Sequence, residues 1–183
     1  MLNCLHKIRV KPGDTYIIRG GVPHGIGAGC FLVEIQEPTD YTIRTERVTP
    51  SGLQVADTMC HQGLGFEKMF DCFQYQGMSL TDTLDAYRVN PVTEKHPGHT
   101  VTHIIYPEIT EMFAMDLIQV DSQAVFPVDG RFCGIYVLSG QGNLCGQPIK
   151  ACDHFFIPAA CEHISFSATG DAPLTFLRCF GPE

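Results

Sequence analysis

Apolar and polar residues alternate with a period of two along much of the chain, interrupted once by a helical period near its middle. His6-Lys7-Ile8-Arg9-Val10 alternates, Pro12-Gly13-Asp14 turns, and Thr15-Tyr16-Ile17-Ile18 is dense in β-formers. Gly20-Gly21-Val22-Pro23 turns again and Cys30 to Gln36 reads as a strand. Glu37-Pro38-Thr39-Asp40 reverses it, and Tyr41 to Val48 alternates as the next. The pattern predicts four or five strands in the first 50 residues.

The period then changes. Phe66, Met69, Phe70 and Phe73 fall at i, i+3, i+4 and i+7, one stripe of a helix. Ser79 with Asp82 three residues on predicts an N-cap and a second short helix. Leu80, Leu84 and Tyr87 share its face, and Asn90-Pro91 stops it. Lys95-His96-Pro97-Gly98-His99 reads as a linker, because Pro and Gly adjoin polar residues where periodicity lapses.

From Thr100 onward the period of two returns. Strands are predicted over Val101 to Ile105, Met112 to Val120, Ala124 to Phe126 and Phe132 to Leu138. Further strands are predicted over His154 to Ile157, His163 to Phe166 and Leu174 to Phe180. Strands this short and this close, with no helix between them, indicate a compact barrel or jelly roll and exclude βαβ units.

Composition narrows the function classes. Of 183 residues, 44% are hydrophobic and 17% charged, enough apolar surface for a packed core. The net charge of −8 disfavours a nucleic-acid partner. No stretch approaches the roughly 20 apolar residues of a membrane span, and the first residues lack a signal-peptide core, so a cytoplasmic location is expected, with no membrane partner. Nine cysteines, mostly isolated in apolar runs, read as buried free thiols and not as a disulfide framework.

Three residues are candidates for chemistry. His24 follows a glycine-rich turn at the head of a predicted strand, where its imidazole would be held rigidly enough to ligate a metal. Glu34 and Gln36 share one strand face; Thr42, Arg44 and Glu46 share another. From spacing alone these faces either meet solvent with a cross-strand ion pair or line a pocket with His24. Elsewhere, His96, His99 and His103 have helical spacing, but Pro97-Gly98 and the β-branched run after it forbid the helix. Cys152, His154, Cys161 and His163 match a structural zinc shell in residue type, although a metal-free packing barrel is the preferred reading.

The order Gly13-Asp14, Gly21, Pro23-His24, Glu34-Ile35-Gln36-Glu37-Pro38-Thr39-Asp40 and Arg44 resembles the type I mannose-6-phosphate isomerase family, in its C-terminal portion. The resemblance implies an all-β protein of cupin, jelly-roll type: part of a first barrel at 1–50, a helical connection at 51–98, and a second barrel at 99–183. It implies zinc at His24, with Glu34 and Arg44 as catalytic residues, and a sugar-phosphate partner. The implied activity is a zinc-dependent aldose–ketose isomerisation between mannose 6-phosphate and fructose 6-phosphate. The family's other zinc ligands, a Gln-x-His pair and a glutamate, lie upstream of the matched region, and neither His6 nor Gln36 replaces them. One histidine cannot hold zinc tightly. Either a longer polypeptide or another component is therefore expected to complete the site. The rival readings are a non-catalytic sugar-phosphate-binding or regulatory cupin, and a module that self-associates through unpaired strand edges.

Overall fold

The computed structural model describes residues 4–38 and 41–182. The chain divides into two compact units, Met1–Arg88 and Val89–Glu183.

In the first unit the expected sheet does not form. Among the described residues it contains β1 (Thr15–Tyr16), the Arg88 end of β2 (Arg88–Val89), and an isolated bridge between Val48 and Gln54. Cys30 to Gln36 and Tyr41 to Val48, both predicted as strands, are irregular. The reversal between them reaches Thr39 and Asp40, which lie outside the described residues. A strand needs a hydrogen-bonded ladder and a buried face; among the described residues the Val48–Gln54 bridge is not extended into a ladder, and Phe31 is 88% exposed and Tyr41 68%.

The helices are short: α1 (Asp57–His61), α2 (Phe66–Asp71) and α3 (Leu80–Tyr87). The apolar stripe of α2 is real, with Phe66 and Phe70 rings stacked 6.5 Å apart, but only Met69 is buried. The cap of α3 is as read, Ser79 Oγ accepting the Asp82 N–H at 3.1 Å.

The second unit is an antiparallel two-sheet barrel of jelly-roll type, as the strand spacing predicts. Its strands are β3 (Val92–His96), β4 (His99–Ile105), β5 (Ala114–Val120), β6 (Gln123–Pro127), β7 (Cys133–Ser139), β8 (Gln141–Leu144), β9 (Gln147–Lys150), β10 (His154–Ile157), β11 (His163–Ala168) and β12 (Leu174–Phe180). One sheet runs β10-β7-β12-β5-β4-β3, the other β6-β11-β8-β9. Alternation sets the core: Cys133, Ile135 and Val137 of β7, Ile118 and Val120 of β5, and Ile164 and Phe166 of β11 all point inward.

The predicted linker at Lys95 to His99 is a hairpin turn instead. His96 pairs with His99, and Gly98 takes φ +83° between them. The Gly98 carbonyl accepts the N–H groups of Asp121 and Ser122. Polar residues flanking Pro-Gly serve a tight turn as readily as a linker.

All nine cysteines are free thiols, but the expectation that they are mostly buried fails: Cys60 and Cys133 are buried, Cys179 is half-buried, and the other six are exposed. Among the described residues no helix is long and apolar enough to cross a membrane.

Candidate functional site

The loop carrying His24 is anchored by backbone. Gly21 takes φ +81° and lies so close to the segment after α2 that an added Cβ would fall 2.6 Å from the Cys72 carbonyl oxygen. The Gly21 carbonyl accepts the Gln74 N–H at 2.8 Å, and the Gly20 carbonyl accepts from Gln74 Nε2 at 3.0 Å. Just beyond this clamp, His24 is exposed, its Nδ1 2.9 Å from the Val22 carbonyl oxygen. A carbonyl only accepts, so Nδ1 donates, and in the neutral imidazole Nε2 keeps its lone pair.

Arg44 is half-buried against the end of α1. Its Nη1 donates to the carbonyls of Thr42 at 3.3 Å and Met59 at 3.4 Å, and its backbone N–H donates to Cys60 at 3.0 Å. Gln62 Nε2 donates to the same Thr42 and Met59 oxygens. The guanidinium thus satisfies the Met59 carbonyl at the C-terminus of α1, where positive charge is favoured, together with the Thr42 carbonyl beside it. Glu34 is exposed on irregular chain. Of the other arginines available for a phosphate, Arg47 is ion-paired with Asp57 and lies over the Phe66 ring, while Arg19 is exposed.

No hydrogen bond or ion pair among the described residues joins His24, Glu34 and Arg44 to one another. The strand pairing that would have brought the two polar faces together is the part of the first unit that did not form. Among the described residues, no three His, Cys, Asp or Glu side chains gather to hold a metal. Cys152, His154, Cys161 and His163 are all exposed.

Ionisable side chains do gather inside the second unit, on β3, β4, β5 and β12. The sequence holds the signal. Read with a period of two, His99, Val101 and His103 share one face, as do Asp116, Ile118 and Val120. Testing the histidines only for helical register misses it.

No protein-family profile matches the sequence. The chain is 25% identical over 172 residues to the Bacillus subtilis protein YvyI, covering 90% of this chain and 49% of that one. It is 23% identical over 162 residues to the mannose-6-phosphate isomerase ManA of Bacillus subtilis, covering 84% of this chain and 46% of ManA. The chain resembles the mannose-6-phosphate isomerases along most of its length. A crystal structure of the mannose 6-phosphate isomerase from Bacillus subtilis superposes with a TM-score of 0.50 at 20% identity, over 74% of this chain and 38% of that one. The fold is that of the cupins. The chain spans about half the length of the curated relatives it matches.

Proposed function

We propose that the chain forms the C-terminal portion of a mannose-6-phosphate isomerase and serves the interconversion of mannose 6-phosphate and fructose 6-phosphate. The observation that carries this reading is sequence similarity extending over 90% of the chain, and so through both units.

The reaction moves a proton between two neighbouring carbons of the sugar. Removing the proton beside the carbonyl leaves an electron-rich enediol, and returning a proton to the other carbon completes the exchange with no net redox change. Arg44 is the residue assigned to offset the enediol oxygens' charge, and Glu34 to carry the proton. Turning Arg44 to this task exchanges its two carbonyl contacts for substrate oxygen.

Zinc does not fit the residues described. His24 presents one correctly prepared nitrogen, but a zinc centre takes three or four protein ligands, and no second and third converge on it. That shortfall favours a second reading, a non-catalytic cupin that binds sugar phosphate.

The deciding experiment measures fructose 6-phosphate formed from mannose 6-phosphate by the purified chain with zinc added, alongside calorimetric binding of both sugar phosphates. Turnover that falls at least about a hundredfold in Arg44→Ala and in Glu34→Gln supports the isomerase. Binding without turnover selects the second reading. Neither binding nor turnover overturns both.

A further inference from the structure

The inner face of the six-stranded sheet carries a row of charged and imidazole groups where a barrel of this kind is otherwise packed with Ile, Val and Phe. Strand register places them together: His96 opposite His99, Glu94 opposite Val101, His103 opposite Asp116, and Asp116 opposite Arg178. Opposed residues share a face, and Val101 belongs to the core, so the face is the interior one. Ring contacts agree. His99 meets Phe126 of the opposite sheet at 5.3 Å, and the Arg178 guanidinium lies 4.6 Å from the same ring and 4.9 Å from Phe180.

The row has a rigid end and an accessible end. At the rigid end Asp116 is 5% exposed, and Arg178 Nη2 donates to its Oδ2 at 2.8 Å. His103 Nδ1 lies 2.7 Å from Asp116 Oδ1. The carboxylate accepts, so His103 donates from Nδ1, and in the neutral imidazole its Nε2 is left as an acceptor. That nitrogen is 3.9 Å from Glu94 Oε1, and Glu94 Oε2 is 3.5 Å from His96 Nε2. The Glu94 and His96 side chains are 56% and 42% exposed. Next to them the His96 and His99 rings stack at 4.8 Å, and the buried His99 Nδ1 has no hydrogen-bond partner.

A buried ion pair stabilises a fold no better than apolar side chains of similar volume, so stability does not account for the row. What it accomplishes is to hold one imidazole in a fixed tautomer beside an exposed carboxylate. With the imidazoles neutral both present acceptors, and the two carboxylates against one guanidinium leave the row electronegative. Such a surface repels phosphate and suits neutral hydroxyl donors, and a metal is not indicated because among the described residues no three ligands converge.

We infer that Glu94 and His103 form a second binding site, at the β3 edge of the C-terminal barrel, for the hydroxyl groups of an uncharged sugar or polyol. Adjacent hydroxyls would donate to the carboxylate of Glu94 and to Nε2 of His103, with Asp116 and Arg178 as positioning residues. The site is independent of His24 and of the isomerase reading.

The test follows the side-chain nitrogen resonances of 15N-histidine-labelled chain during titration with mannose, with inorganic phosphate as a parallel probe. The expected result is a saturable shift of His103 Nε2 with mannose and none with phosphate. Glu94→Ala should weaken the response about tenfold, the effect of one charge-assisted hydrogen bond. His24→Ala should leave it unchanged. No saturable shift, an equal response to phosphate, or an unaltered response in Glu94→Ala overturns the site. Because Glu94 is exposed on an edge strand, its loss does not threaten folding, and Glu94→Gln gives a second reading with shape preserved. Failure of the isomerase assay leaves this result untouched, and the reverse also holds.

Discussion

Phe166 of β11 and Phe176 of β12 stack with ring centroids 4.2 Å apart and planes inclined by 23°, joining the two sheets at the centre of the C-terminal barrel. Both side chains are almost completely enclosed. Phe176→Ala removes the stack and leaves a void that close-packed neighbours fill only in part. The expected loss is about 3–5 kcal/mol of barrel stability, read from denaturant unfolding.

Gly142 on β8 shows how tightly the small sheet is closed. A Cβ there would lie 2.1 Å from the Ser167 carbonyl oxygen, a backbone atom that cannot swing aside. Gly142→Ala is expected to cost about 1–3 kcal/mol by overpacking. Gly134→Ala, where an added Cβ meets nothing within 4 Å, should leave the unfolding midpoint nearly unchanged in the same measurement.

The clamp on the His24 loop makes a parallel prediction in the first unit. Gly21→Ala combines positive φ with a backbone clash at Cys72, so the turn must open. The His24 Nδ1–H resonance should move or broaden. If it stays in place, the turn does not position that imidazole.

Burial pushes the Cys179 thiol up to about 11 from an ordinary value of 9.0, helped by the nearby Cys133 and Asp116. The folded state therefore keeps this proton where the unfolded state releases it. Its contribution to stability is present in full below pH 9 and is lost as pH rises toward 11. Unfolding midpoints measured across that window should fall with pH, and fall less in Cys179→Ser. At pH 8 a thiol reagent should label the exposed Cys145, Cys152 and Cys161 well before Cys179.

The second unit was readable because its signal is local and its consequence is burial. Ile135 and Val137 alternate with Gly134 and Tyr136, and the structure buries the former pair. The β8–β9 hairpin was missed because Gln141-Gly-Asn and Gln147-Pro carry no apolar alternation; β8 is held by pairing with β11, and β9 by pairing with β8. The first unit shows the opposite failure. Tyr41 to Val48 alternates well, but pairing is a property of two segments and the text of one cannot supply the other. For the same reason His24, Glu34 and Arg44 could be singled out by residue type and spacing, while their convergence depended on a sheet absent from the described residues. The interior row was hidden differently. His99, His103 and Asp116 lie on the right period, but which face of a strand turns inward is decided by tertiary packing.

The six-stranded sheet ends at β3, all five of whose residues are exposed and whose outer side pairs with no strand among the described residues. Glu94 and Lys95 sit there, so any further strand seeking to dock would have to strip water from opposite charges before gaining a single ladder bond. Strand addition at this border is thus made costly by side-chain charge alone.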